Sequence, residues 1–300
     1  MRTFTPLILA LASLVISNPS AAQALDLVNA PETVLAELVP DWFFSDGLEF
    51  TMPTALIRTT TLKIRDPHFF APVFPPIVCP DFTDNDIAGQ PNSAVNNQIN
   101  LSLTTDSDSN GFLDSSPLWI FQNPLTGPQI RRFDTADGQC SAPLASTSCT
   151  FPTATIADTY TVISTGADSC FSPIAATTGG YTPSVANVAT PCWLGAAKAT
   201  ASLNFNGVAV PLFGVRSGGA VSATDGPIGR VMMRGFLRES DADATLLPVG
   251  LPLVGGRPVS VLLKGGTGSC ATGSDKDVLD GVTGWWFYME QTIASVPITP

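Results

Sequence analysis

The first 24 residues set the conditions under which the rest of this chain folds, and so restrict its structure more than any other stretch. Arg2 precedes an apolar run from Phe4 to Ile16, broken by Thr5, Pro6 and Ser13, and Ala22-Gln23-Ala24 follows with a small-x-small pattern. That order is the signature of a secretory signal and its cleavage site. The run falls short of the ~20 apolar residues needed to span a bilayer. Residues 1–24 therefore read as a cleaved signal peptide, and 25–300 as one secreted or periplasmic, β-rich domain.

Export decides what the cysteines mean. Cys79, Cys140, Cys149, Cys170, Cys192 and Cys270 all follow the leader, and an even set in an oxidising compartment reads as disulfides. Closure between nearest neighbours suggests Cys140–Cys149 and Cys170–Cys192, leaving Cys79–Cys270 as a long-range tie. Zinc is a poor alternative, because the chain has one histidine and no C-x-x-C pair.

Composition then selects the fold class. Asp outnumbers Glu by 20 to 5, Lys occurs 4 times, and there are 26 Pro and 25 Gly. Glu and Lys favour helices, whereas Asp, Pro and Gly favour turns. The expectation is all-β: an antiparallel β-sandwich or jelly-roll-like domain with one or two short helices and long disulfide-tied loops. The formal net charge of −11 opposes binding to phosphate backbones and anionic lipid, which argues against a nucleic-acid partner. The uncharged stretch 169–197 is interrupted by Pro173, Pro183 and Pro191, so it forms no transmembrane anchor.

Pattern places the elements. Pro31–Leu38 has a helical apolar face. Leu56–Arg65, Gln98–Thr104, Leu118–Gln122, Tyr160–Ser164, Gly229–Leu237 and Gly284–Ile293 read as strands, with Leu118–Gln122 pairing back onto 98–104. Ala199–Leu212 alternates on both sides of Asn206-Gly207, a strong hairpin signal. Glu239–Leu247 reads as a short helix capped by Ser240 or Asp241. About 139–195, the chain is Thr/Ala/Pro/Ser-rich and reads as a Cys-containing excursion stapled to the body.

Among chemistry-bearing residues, Asp106-Ser-Asp108-Ser-Asn110-Gly111-Phe-Leu-Asp114 is the sharpest motif. It resembles the calcium loops of dockerins and thrombospondin type-3 repeats and the first half of an EF-hand. Alternating oxygens converge on a hard cation, Gly111 allows the tight turn, and a later carboxylate closes the shell. The twelfth position, where an EF-hand places a bidentate Glu, is Pro117. The resemblance implies a structural calcium on Asp106, Asp108, Asn110 and Asp114; the competing reading is a metal-free Asp/Asn/Gly turn.

Asp81, Asp84 and Asp86, and Asp275, Asp277 and Asp280, read as solvated loops. Glu239, Asp241 and Asp243 suit helix-end duty better than the opposed carboxyls of a glycosidase. His68 is the one histidine, and no G-x-S-x-G elbow accompanies it. Gly268 and Gly273 have phosphate-loop spacing, but Ser274 stands where the lysine belongs. Trp193, Trp285 and Trp286 are the candidate ligand-stacking residues, since flat aromatic faces suit sugars. In a strand, Trp285 and Trp286 face opposite ways, so one of them must be covered by a loop or exposed.

Three functions compete. The leading one is an exported binding protein at the envelope or outside the cell, calcium-stabilised, with a glycan or other extracellular polymer as partner. The alternatives are a secreted hydrolase using paired carboxylates or a His68-based site, and a purely structural envelope or matrix protein.

Overall fold

Alternating apolar and polar residues make strands that bury one face, and here ten strands join into one continuous antiparallel sheet, with a separate two-stranded hairpin beside it. The computed structural model describes residues 55–296, except 74–77, 88–90, 122–130, 143–147, 151–155, 164–169, 206–207, 223–225, 248 and 250–253. The leader and the helix expected at Pro31–Leu38 lie outside the described residues. In chain order the elements begin with β1 (Ala55–Asp66), α1 (Val95–Ser102), β2 (Pro117–Phe121), β3 (Arg131–Asp137), β4 (Gln139–Cys140) and β5 (Cys149–Thr150). Then come β6 (Ile156–Ile163), β7 (Cys192–Gly195), β8 (Lys198–Phe205), β9 (Val208–Ser222) and β10 (Gly226–Arg238). The last are α2 (Glu239–Ala244), β11 (Asp277–Leu279) and β12 (Val282–Ser295).

The fold is all-β and antiparallel, as expected. One curled sheet runs in the order β1-β2-β3-β6-β7-β9-β10-β12, and β12 pairs back onto β1. Eight strands thus close a ring, with β8 added beside β9 and β11 beside β12. Closure removes the exposed edges that an open sheet of this length would present.

Inward side chains fill the ring. Trp119, Phe121, Tyr160 and Trp193 meet there with Ile57, Val231 and Ile293, and the Phe121 and Trp193 rings lie 5.2 Å apart edge to face. An eight-stranded barrel has an interior just wide enough for side chains, so this end is a core. Gly218 and Gly219 thin β9 where both of its faces are occupied. A Cβ on Gly219 would lie 2.6 Å from Trp193 Nε1, and one on Gly218 would lie 3.1 Å from Phe171 Cβ. The outer face of β1, β10 and β12 carries Lys63, Arg65, Arg230 and Glu290, with Arg65 Nε 2.8 Å from Glu290 Oε2. A lipid-facing barrel needs an apolar band there.

Past Arg58, β1 loses β2 as a neighbour, and α1 takes its place. Asn96 and Asn100, one helical turn apart, each bind a main-chain amide and carbonyl of β1. Asn96 accepts from Ile64 N–H at 2.7 Å and donates to Ile64 O at 2.9 Å; Asn100 does the same to Leu62 at 3.0 and 2.8 Å. Two side-chain amides thus satisfy polar groups that a missing strand would have paired. This corrects the strand expected at Gln98–Thr104. Val95, Ile99 and Leu103 share the core-facing side of the helix, and Leu101, which the alternating pattern would bury, is 43% exposed. The strand expected at Leu118–Gln122, seen as β2 up to Phe121, accordingly pairs with β1 and β3 instead.

The other strand expectations match β1, β2, β6, β10 and β12, and β8 pairs with β9 as a hairpin from Phe205↔Val208 to Lys198↔Val215. The span 139–195 is not one excursion, since β6 and β7 within it are staves of the ring. What leaves the ring is the β4–β5 hairpin and a strap over residues 170–192. α2 is capped at Arg238 without a side-chain bond, so Ser240 and Asp241 lie inside it.

Candidate functional site

All six cysteines are paired, as Cys79–Cys270, Cys140–Cys149 and Cys170–Cys192. These bonds position two groups of chemical interest. The Cys140–Cys149 hairpin carries the Asp-rich loop, through Leu113 N–H to Cys140 O and Ala142 N–H to Gly111 O, each at 2.9 Å. Gly111 has φ +90°, as the tight turn requires. Asp106 accepts from Asn110 N–H at 3.0 Å and Gly111 N–H at 2.8 Å, and Asp108 accepts from the Asn110 side-chain amide at 2.9 Å. Asn110 Oδ1 accepts from Phe112 N–H at 2.8 Å, and Asp114 from Ser107 N–H at 2.9 Å.

Carboxylate oxygens of Asp106, Asp108 and Asp114 lie within 4.8 Å of one another. Oxygens sharing one calcium ion at about 2.3–2.6 Å are no farther apart than about 5 Å, so these three fit a shared cation. Asn110 is engaged with the backbone, and Pro117 lies buried in β2, so the remaining ligands of such an ion would be carbonyls and water.

The second group lies where the strap meets the far end of β1. Asp66 accepts from Gly179 N–H at 2.7 Å. Burial pushes its carboxyl up to about 7; the Gly179 amide pulls it down, and Asp275 and Asp277 add to the rise. His68 is 4% exposed, donates from Nδ1 to Asp81, and stacks on Tyr181 with centroids 3.8 Å apart. Burial raises Asp81, but the bonds from His68 and Thr83 outweigh it and hold the carboxyl below its ordinary value. Tyr181 donates to Asp275, whose side chain also lies 3.3 Å from Lys264 Nζ. Burial, then Asp275, holds the Tyr181 phenol protonated.

This arrangement places an oriented imidazole beside carboxyls held on opposite sides of their ordinary range, the pattern of acid–base sites. His68 Nε2 is buried, and among the described residues neither a serine hydroxyl nor any other group bonds to it. The Asp81–Asp86 and Asp275–Asp280 clusters are solvated only in part: Asp86 and Asp280 are exposed, while Asp81 and Asp275 are partly buried and bonded to His68 and Tyr181. Asp84 accepts from Asn96 and Asp86 from Ala94 N–H, each at 2.9 Å. Asp280 at φ 51° and Gly281 at φ 79° make the turn between β11 and β12. Asp-Gly between two short runs is itself a hairpin signal in the sequence. Glu239 pairs with Lys276 and Asp243 accepts from Ser260.

Trp193, Trp285 and Trp286 offer no stacking face. Trp193 and Trp285 are 0% exposed and Trp286 is 6% exposed. Trp193 and Trp285 point into the core, and outward-facing Trp286 packs with Phe236 and Tyr288 under the strap residues Ile174 and Val185. The condition set for adjacent strand residues is met by loop cover.

No protein-family model, curated protein or solved structure matches the chain.

Proposed function

We propose that the protein is an exported β-barrel binding module that acts at the cell envelope or outside the cell, tied by disulfides and stiffened by calcium at Asp106–Asp114. The observation that carries this reading is the pairing of all six cysteines, since such bonds persist in oxidising compartments. No helix among the described residues is long and apolar enough to cross a membrane. Burial of Trp193, Trp285 and Trp286 moves any polymer-binding surface from these rings to the loops, where the acidic charge favours neutral or cationic partners over nucleic acid. Fractionation of a tagged full-length chain together with polysaccharide arrays, with and without chelator, tests the proposal. Recovery outside the cytosol with calcium-sensitive retention on a polymer supports it. Cytosolic recovery, or silence on every array, counts against it.

The His68 imidazole, oriented by Asp81 on Nδ1 and with Nε2 bonded to nothing among the described residues, favours hydrolysis as the second reading. A panel of fluorogenic esters and glycosides distinguishes the two. Turnover lost in His68→Ala and showing a pH profile set by Asp66 would replace binding with catalysis.

A further inference from the structure

Residues 170–192 cross the outer face of β9, β10 and β12. Phe171 packs on Met232, and Arg234 lies 4.9 Å over the Phe171 ring while donating to Ser172 O at 3.0 Å. Ile174 N–H and the Thr177 hydroxyl meet the Tyr288 hydroxyl, Gly179 N–H reaches Asp66, and Tyr181 reaches Asp275. The disulfide Cys170–Cys192 closes the two ends of this strap, while its middle is held by the polar contacts just named.

We propose that the strap is a pH-gated cover, seated on the sheet in mildly acidic medium and loosened in neutral to alkaline medium, with Asp66 as the group that titrates. Asp66 leaves the end of β1 and faces charges from every element packed on it. Burial opposes its ionisation most, Asp275 and Asp277 add to that, the Gly179 amide and His68 favour it without outweighing burial, and Tyr288 from β12 stands beside it. Lys264 is engaged with Asp275, and Asp81 with His68, so ionised Asp66 adds a negative charge where the cations are already paired. Opening lifts Gly179 off Asp66, lets water reach the carboxyl and moves it back toward its ordinary value of 3.8. The opening constant then rises by up to about tenfold per pH unit between ~4 and ~7 and levels off above that. Loosening uncovers Phe236 and Trp286, the apolar patch beneath.

Hydrogen exchange of the Ile174, Thr177 and Gly179 amides, corrected for intrinsic rates, tests the gate. The wild-type chain should lose at least about tenfold in protection between pH 5 and pH 8, while the Phe236 amide within β10 stays unchanged. Asp66→Asn should keep the acid value at both pH values. Asp275→Asn retains an acceptor for Tyr181 and should move the transition to lower pH. Equal wild-type protection at the two pH values overturns the proposal, as does an Asp66→Asn variant that opens like wild type. Should Asp66→Asn not fold, the wild-type titration and the Asp275→Asn shift decide it.

Discussion

Asn100 shows how much one side chain does at the seam between sheet and helix. Its amide satisfies both the N–H and the C=O of Leu62 and also donates to Asn96 O at 2.6 Å. Asn100→Ala leaves two main-chain groups of β1 without partners, at a cost of about 2–4 kcal/mol, visible as a lower urea midpoint with an unchanged slope. Asn100→Asp keeps the acceptor, loses the donor and should fall between the two. At Trp286 the lost quantity is packing: Trp286→Ala should cost about 3–5 kcal/mol by the same assay. An unaltered midpoint there would mean that the strap does not cover the ring. Asp66 gives stability a pH dependence of stated sign. With its carboxyl raised from 3.8 to about 7 in the folded chain, its contribution is full below pH ~4 and is lost as pH rises through ~7. Urea midpoints should therefore fall from pH 5 to pH 8 in wild type and stay level, for this contribution, in Asp66→Asn.

The elements differ in how plainly the sequence announces them. Strands β1, β10 and β12 and the β8–β9 hairpin follow from alternation and from Asn206-Gly207, because a one-residue slip would turn each apolar face to water. Helix α1 was hidden: Ile99, Leu101 and Leu103 alternate as in a strand, while the decisive spacing is that of Val95, Ile99 and Leu103 on one side and Asn96 and Asn100 on another. The candidate site was legible only in part. The Asp106–Asp114 loop is contiguous, so its converging oxygens show in the sequence. The cluster of Asp66, His68, Asp81, Tyr181 and Asp275 is drawn from four separated segments, and only the fold brings them together. For the loop, calcium should raise the melting temperature by several degrees and excess chelator should reverse the gain, since an ion bound only to the folded state stabilises it by mass action. Asp106→Ala, which removes two backbone anchors and a ligand, should abolish the response. A melting temperature indifferent to both reagents would leave the loop as a metal-free turn.

For the whole molecule, ring closure joins the first described strand to the last, from Ile57↔Ser295 to Asp66↔Tyr288, and Cys79–Cys270 ties the same ends across a separation of 191 residues. In the chain-entropy account this bond contributes roughly 5 kcal/mol, against roughly 3 each for the two shorter loops. The double variant Cys79→Ala/Cys270→Ala should therefore lose more stability than Cys140→Ala/Cys149→Ala, as read from thermal melts. Every functional statement above depends on a chain that is exported and oxidised. The direct measurement is the intact mass of the protein purified from its own cells without reductant. The account predicts a chain beginning at Leu25, lighter by six hydrogens than its all-thiol form and inert to alkylation. A chain that keeps residues 1–24 and takes up alkyl groups at all six cysteines would contradict it.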